Sequence, residues 1–252
     1  MNDKIYFLSG LGSNSLFLKD LDNCLNNLDI KQIDLPGHGI NYNVILKNLV
    51  DLEEWFLKNI KINNSNNITV IGHSLGADLL VYLGSKIPFI KNIILLDGGL
   101  FNLSDFSYSL NSEVEETMQF IENNKFSNLK EYIEKEKEDY LIWNDNIKQA
   151  SIGKMIYNLE QKVYEIGINT DSIKTLLEIR RMINLPDFNS LRNKNILVLL
   201  PENQDEGLLK FKLKKIPSFV EYEIISASGH DIYIENPKKV GETINEWVSK
   251  QY

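Results

Sequence analysis

The sequence is organised around residues 72–76, Gly-His-Ser-Leu-Gly, which have the pattern Gly-x-Ser-x-Gly. The residues just before them are apolar and β-branched, as in a buried strand, and those just after have apolar side chains at helical spacing. A strand that turns sharply into a helix around a serine is typical of a nucleophile elbow. Without a Cβ at Gly72 and Gly76, strand and helix can approach closely and hold Ser74 at a strained, exposed tip. The alternative is an ordinary tight turn with a solvent-facing serine.

Apolar strands and helices alternate along both ends of the chain. Strands are predicted at 5–8, 30–35, 67–71, 92–96 and 196–200, with an alternating edge strand at 220–225. Strands that are apolar on both faces and alternate with helices indicate a parallel sheet covered on both sides. Right-handed crossovers then bring the strand-end loops to one edge, where such sheets bind ligands. With 252 residues, 43% of them hydrophobic, the chain suits one such domain with an insertion.

The alternation of strands and helices stops between residues 100 and 191, where no strand pattern is recognised. Helices are predicted there at roughly 112–123, 127–140, 145–166 and 171–183. The charged run 131–139 is interpreted as a solvated helix face, with a partner-binding face as the alternative. The many aromatic residues either pack into a core of their own or line a substrate pocket, for which Tyr140 and Trp143 are the candidates. We therefore expect a core domain of residues 1–99 and 192–252 and a helical cap, or lid, of residues 100–191.

A serine hydroxyl becomes a nucleophile only when a base takes its proton, and the chain has three histidines. His230 lies in a glycine-flanked loop directly after a strand, on the same edge as Ser74, and is the preferred base. His73 adjoins Ser74 inside the elbow, where its ring is expected to point away from the serine side chain. His38 follows Pro-Gly and is interpreted as a loop histidine near the rim of the site.

The imidazole needs a carboxylate that fixes its tautomer and stabilises its charged form. Asp205 follows the strand at 196–200 and is the preferred acid. Asp97 follows the preceding strand and is the alternative acid, unless it only caps the adjoining glycine turn. Glu202 and Glu206 are more remote candidates and are expected to be solvated.

A tetrahedral oxyanion needs two N–H donors. Leu75 offers one at the N-terminus of the elbow helix, and Leu11 offers the other from the glycine-rich loop after the first strand. Gly10 and Gly12 allow that backbone to approach a substrate, although a plain strand-to-helix turn would have the same composition. This chemistry requires neither a metal nor an organic cofactor, and we expect none.

Taken together, these residues make the chain resemble proteins of the α/β-hydrolase fold over nearly all of its length. The segments that carry the resemblance are 9–12, 34–39, 72–76, 97–98, 229–231 and 235–237. The chain order of serine, acid and histidine also agrees with that family. The resemblance implies a mostly parallel sheet covered by helices on both faces, with a helical cap inserted before the acid-bearing strand.

The sequence departs from the family pattern at three points. Ser9 stands where many members have the histidine of a His-Gly pair, and the usual opening antiparallel strands are missing. Gln204 stands where many members have the aspartate, with Asp205 one residue further on, which keeps Asp97 open as the acid.

The expected function is that of a serine hydrolase, similar to carboxylesterases and thioesterases, which cleaves a small-molecule acyl substrate through Ser74, His230 and Asp205. Alternatives are a C–C bond hydrolase or lyase on the same triad, or a non-catalytic ligand-binding protein. The net charge of −8 and the absence of a basic stripe argue against a nucleic-acid partner. The first residues lead directly into a short apolar strand, so we expect a cytoplasmic protein with no membrane span and no signal peptide. The pattern leaves the oligomeric state open.

Overall fold

A six-stranded parallel sheet lies at the centre of the computed structural model, which describes residues 4–26, 28–61 and 67–251. In chain order the strands are β1 (Lys4–Leu8), β2 (Asp29–Ile33), β3 (Ile68–His73), β4 (Ile90–Leu96), β5 (Met155–Asn158), β6 (Val163–Ile166), β7 (Asn195–Pro201) and β8 (Glu221–Ile225). The sheet order is β2-β1-β3-β4-β7-β8, with every neighbouring pair parallel, while β5 and β6 form a separate antiparallel hairpin. The predicted parallel sheet is confirmed.

Helices cover both faces of the sheet. They are α1 (Lys19–Asp22), α2 (Leu49–Asn59), α3 (Leu75–Lys86), α4 (Leu110–Asn123), α5 (Leu129–Asp139), α6 (Asp145–Ile152), α7 (Thr170–Arg181), α8 (Glu206–Lys215), α9 (Ile232–Glu235) and α10 (Pro237–Ser249). Alternating side chains of β1 point to opposite faces: Tyr6 joins the cluster that contains α2 and α3, and Phe7 joins that of α1 and α10. None of the helices in the described ranges is both long enough and apolar enough to cross a bilayer.

The segment 100–191 contains four α-helices, two short 3-10 helices and the β5–β6 hairpin, so the predicted helix 145–166 is wrong beyond Ile152. Helix α6 ends at Ile152, and the hairpin strands follow it. The hairpin sequences are rich in β-branched and aromatic residues, which favour strands, and Tyr157 packs on Tyr164 across the pair with ring centroids 4.9 Å apart. Lys162 in the turn has a φ of 56°, which a helix cannot accommodate. Each strand has only four residues, too few for the alternation to stand out.

A buried ion network joins this segment to the helix that begins beside Ser74. Arg180 of α7 contacts Asp78 of α3 at 3.2 Å and Glu113 of α4 at 2.7 Å, and Arg181 contacts Glu113 at 2.6 Å. Asp78 also accepts a hydrogen bond from the Gly99 N–H at 2.8 Å. Burial raises the pKa of Asp78 to about 6, and the Arg180 charge opposes that rise. The network therefore anchors α4 and α7 to the core next to the site.

Candidate active site

Ser74 lies at the sharp turn between β3 and α3, with φ 52° and ψ −121°. This conformation is unfavourable for a residue with a side chain, and such strain concentrates at functional sites. Close packing enforces it: a Cβ on Gly72 would lie 2.6 Å from Ala77 Cα, and one on Gly76 would collide with the Leu8 carbonyl. The Ser74 N–H donates to the Leu96 carbonyl at 3.1 Å, which ties the turn to the neighbouring strand. Ser74 therefore lies at a sharp, closely packed strand-to-helix turn, and its role as the nucleophile stays a prediction.

His230 lies in the loop between β8 and α9 and reaches Ser74 across the sheet edge. Its Nε2 is 3.0 Å from Ser74 Oγ, and its Nδ1 is 2.7 Å from an Asp97 carboxylate oxygen. With Asp97 ionised, the Nδ1–H donates to the carboxylate and Nε2 accepts from the serine hydroxyl. Desolvation lowers the pKa of His230, but the hydrogen bond and charge of Asp97, with the charge of Asp231, outweigh it and raise the pKa overall. This arrangement allows His230 to take a proton from Ser74.

The acid beside His230 is Asp97, not the preferred candidate Asp205. Asp97 directly follows β4, is buried, and has a positive φ of 44°. Burial acts to raise its pKa, but the hydrogen bond from His230 and the charge of Lys212 lower it overall. The second carboxylate oxygen accepts a hydrogen bond from Lys212 Nζ at 2.6 Å. Asp97 is therefore held as a carboxylate.

Asp205 instead caps helix α8. Its exposed carboxylate accepts a hydrogen bond from the Leu208 N–H at 2.8 Å, a role that aspartate commonly takes at a helix N-terminus. Glu202 accepts from the Ala227 N–H at 2.9 Å, and Glu206 pairs with Lys210 on the surface. The acidic side chains of the loop after β7 and of the first turn of α8 therefore serve local structure.

The two other histidines support the backbone around the site. Buried His73 donates from Nε2 to the His230 carbonyl at 2.9 Å, with its ring centroid 4.8 Å from that of His230. His38, expected near the rim, is only 3% exposed. Its Nε2 accepts from the Gly12 N–H at 2.8 Å, and its Nδ1 is 3.1 Å from the Pro36 carbonyl. Burial lowers the pKa of His38 and so favours the neutral ring that can accept from Gly12.

Leu11 and Leu75 remain predicted oxyanion donors. Leu75 is the first residue of α3, where a helix leaves its backbone N–H groups without an intrahelical partner. The loop with Leu11 lies against the elbow: a Cβ on Gly10 would be 3.2 Å from Ser74 Cβ. The bond from His38 fixes the same loop at Gly12.

A cavity of about 230 Å³ opens at Ser74 and His230. Its other lining residues are Gly10, Leu11, Gly12, Ser13, Phe17, His73, Tyr140, Lys154, Asp231, Tyr233 and Ile234. The pocket candidate Tyr140 thus reaches the cavity from the segment 100–191, whereas Trp143 packs behind it with ring centroids 5.9 Å apart. Lys154 pairs with Glu136 at 2.7 Å, so its charge is balanced at the cavity wall.

A smaller cavity of about 110 Å³ extends under helices α4 and α5. It shares Leu11, Gly12 and Lys154 with the cavity at Ser74, and apolar residues such as Ile121 and Ile166 form much of its wall. Within the described ranges, no group of three or more His, Cys, Asp or Glu side chains is arranged to hold a metal ion.

Comparisons with known proteins point to one fold. No protein-family model matches the chain. Over 226 residues the chain is 24% identical to a Mycoplasma genitalium protein whose name, esterase/lipase 2, is itself provisional; the match covers 85% of this chain and 76% of that protein.

Solved structures agree over nearly the whole chain. E-2-(acetamidomethylene)succinate hydrolase matches with a TM-score of 0.79 and 16% identity, covering 99% of this chain and 92% of its own. A marine microorganism esterase matches with a TM-score of 0.69 and 19% identity, and the match covers 98% of this chain and 95% of the esterase. The thioesterase domain from the curacin biosynthetic pathway matches with a TM-score of 0.67 and 14% identity, and the match covers 96% of this chain and 90% of the thioesterase domain. These likenesses show that the chain has the α/β-hydrolase fold.

Proposed function

We propose that this α/β-hydrolase-fold protein is a serine hydrolase that cleaves an ester, thioester or related acyl substrate with Ser74, His230 and Asp97. One observation carries the proposal: the continuous chain from Ser74 Oγ to His230 Nε2, at 3.0 Å, and from His230 Nδ1 to Asp97, at 2.7 Å. A nucleophile in reach of a base, with the base oriented by a carboxylate, is the arrangement that acyl transfer requires.

In the proposed reaction, Ser74 Oγ attacks the acyl carbon while its proton moves to His230 Nε2. Asp97 stabilises the imidazolium, and the N–H groups of Leu11 and Leu75 bind the oxyanion. The tetrahedral intermediate collapses when His230 returns the proton to the departing alcohol or thiol, which leaves an acyl-enzyme on Ser74. His230 then takes a proton from water, the hydroxide attacks the acyl carbon, and the acid is released with the proton back on Ser74.

The substrate class is drawn from the cavity and from the named functions of similar proteins. Esterases and a thioesterase appear among them, beside a hydrolase, and esterases and thioesterases cleave acyl compounds of the proposed kind. The cavity at Ser74 suits a small molecule, and the neighbouring cavity under α4 and α5, which shares three lining residues with it, is apolar enough to take the acyl part. We infer that residues 100–191 act as a cap over a core of residues 1–99 and 192–252, since Tyr140 and Lys154 reach the cavity from that segment.

The test is covalent labelling with a fluorophosphonate, which reacts with an activated serine. We expect labelling of the wild-type protein and none of the Ser74→Ala variant, with hydrolysis of a panel of acyl esters and thioesters lost in the same variant. Ser13, which also lines the cavity, supplies the matched control, because Ser13→Ala removes a hydroxyl there without touching the proposed triad. A folded Ser74→Ala variant that keeps most of the wild-type turnover would rule out Ser74 as the nucleophile. A wild-type protein that takes no label and hydrolyses nothing in the panel would favour the ligand-binding alternative.

A further inference from the structure

A buried lysine contacts the far side of the acid at the candidate active site. Lys212 of α8 places Nζ 2.6 Å from the Asp97 oxygen that does not face His230. Both side chains are almost fully enclosed, with 6% of Lys212 and 5% of Asp97 exposed. The neighbouring lysines Lys210 and Lys214 of the same helix are exposed. Lys212 is the one buried residue of α8, and its side chain reaches Asp97.

Gln204 fixes the position of the lysine. Its side-chain oxygen accepts a hydrogen bond from Lys212 Nζ at 2.7 Å, while its Nε2 donates to the Pro201 carbonyl at 2.5 Å. The amide is thus oriented with its oxygen toward the ammonium. Burial of a charged ammonium is costly unless partners compensate for the lost water, and Asp97 and Gln204 provide that compensation here.

We propose that Lys212 is a positioning residue that holds the Asp97 carboxylate in the orientation His230 requires and balances its buried negative charge. The inference rests on the proposed function, because it assigns Asp97 as the acid. Lys212 lies behind Asp97, outside the described residues that line the cavity, so it acts through Asp97 rather than on the substrate. Gln204 holds the lysine, the lysine holds the aspartate, and the aspartate holds the histidine.

The charges around His230 determine what the lysine does to the base. Asp97 and Asp231 favour the imidazolium, whereas Lys212 opposes it, and the neutral His73 ring packs 4.8 Å from the His230 ring. Without Lys212, the full charge of Asp97 would act on His230, and the base would hold its proton to a higher pH. The carboxylate would also lose one of its two fixed partners and could turn away from Nδ1.

The test compares Lys212→Met with the wild-type protein and with Lys214→Met, a control that removes an exposed charge from the same helix. We expect Lys212→Met to move the acid limb of the kcat/KM profile upward by about one pH unit. Looser positioning of His230 should lower kcat by about tenfold with little change in KM, because Lys212 does not touch the cavity. Lys212→Arg, which keeps the charge and a donor, should return the acid limb toward its wild-type position. Thermal unfolding checks that each variant is folded.

A purely structural role for Lys212 would give a different result. In that case Lys212→Met would lose stability while the pH profile of the remaining activity stayed at its wild-type position, and that result would overturn the proposal. If Lys212→Met does not fold, the role of Lys212 is tested by comparing Asp97→Asn with Asp97→Asn/Lys212→Met. The double variant is suitable because it buries no unpaired charge. We expect equal rates of fluorophosphonate labelling for those two proteins. A further loss in the double variant would mean that Lys212 acts independently of Asp97 and would contradict the proposal.

The outcome for Lys212 is separate from the outcome for the proposed function. If Ser74→Ala abolishes activity and Lys212→Met leaves the pH profile unchanged, only the role of Lys212 is wrong. If Ser74→Ala retains activity, the proposed function fails, whatever Lys212→Met does.

Discussion

The loops after β4 and β7 follow neighbouring strands and each carries an aspartate, yet the two carboxylates have different surroundings. Asp97, after β4, is buried between His230 and Lys212. Asp205, after β7, is exposed and caps α8 through the Leu208 N–H. The difference shows that a position at the correct edge of the sheet is not enough. An aspartate becomes available for a site when the local backbone does not use it and when buried partners hold it ionised.

Replacing Asp97 and Asp205 in turn by asparagine should give the largest difference between the two loops. Asp97→Asn should lower kcat by about 10⁴-fold, because an amide beside Nδ1 favours the wrong tautomer of His230. Asp205→Asn should leave kcat within about twofold, since asparagine is also a good helix cap. Steady-state kinetics on an activated ester give both values. If the Asp205 variant fell by a similar factor and the Asp97 variant did not, the two loops would have been assigned the wrong way round.

The loop after β1 also depends on a buried side chain, that of His38. His38→Ala removes the acceptor of the Gly12 N–H and frees the loop that carries Leu11, so we expect kcat to fall by about tenfold to 100-fold. The effect on KM should be small, because the histidine acts on the loop. His38→Gln offers another acceptor and should recover part of the activity. Equal activity of all three proteins would show that the loop holds its shape without His38.

The pH dependence tests whether Asp97 acts on His230 as a charge. Because the pKa of His230 is raised, we expect the proposed base to become protonated and activity to be lost as the pH falls through a midpoint above the ordinary value of about 6.5. Asp97→Asn removes the main group that raises this pKa, so the acid limb of its residual activity should move to lower pH. Asp205→Asn should leave the limb where it is. An acid limb that does not move in the Asp97 variant would contradict the contact between Asp97 and His230.

The smallest expected effect belongs to the role of Asp205 in stability. Asp205→Ala removes the α8 cap and should lower the free energy of unfolding by about 1 kcal/mol. Turnover by the folded protein should remain near the wild-type value. Urea denaturation measures the first quantity and steady-state kinetics the second. A loss of turnover without a loss of stability would give Asp205 a role at the site that its helix cap does not explain.

The sheet was predictable because its central strands are apolar and because strands alternate with helices at both ends of the chain. The meeting of Ser74 and His230 followed from the same pattern, since both lie just past strand ends at one edge. Asp97 and Asp205 could not be separated in this way, because both follow strands and differ only in the contacts that the folded chain gives them.

The burial of Lys212, the contact of His38 and the β5–β6 hairpin were harder to predict from the sequence. Lys212 lies among Lys210, Lys214 and Lys215, and such a run is typical of a solvated face. The buried bond from His38 to Gly12 joins two turns that are distant in the chain. The β5–β6 hairpin did carry a signal, since β-branched and aromatic residues are frequent on both sides of its turn, but its strands are short.

Ser74 is proposed to form an acyl-enzyme, and rapid acid quenching during turnover of 4-nitrophenyl acetate detects this intermediate directly. Mass spectrometry of the quenched wild-type protein should find one acetyl group, located on Ser74. The Ser74→Ala variant should carry no acetyl group and release no burst of 4-nitrophenol. The proposed acyl-enzyme on Ser74 would be wrong if the wild-type protein turned over the ester while acetyl was found on another residue, or if Ser74→Ala gave the same burst.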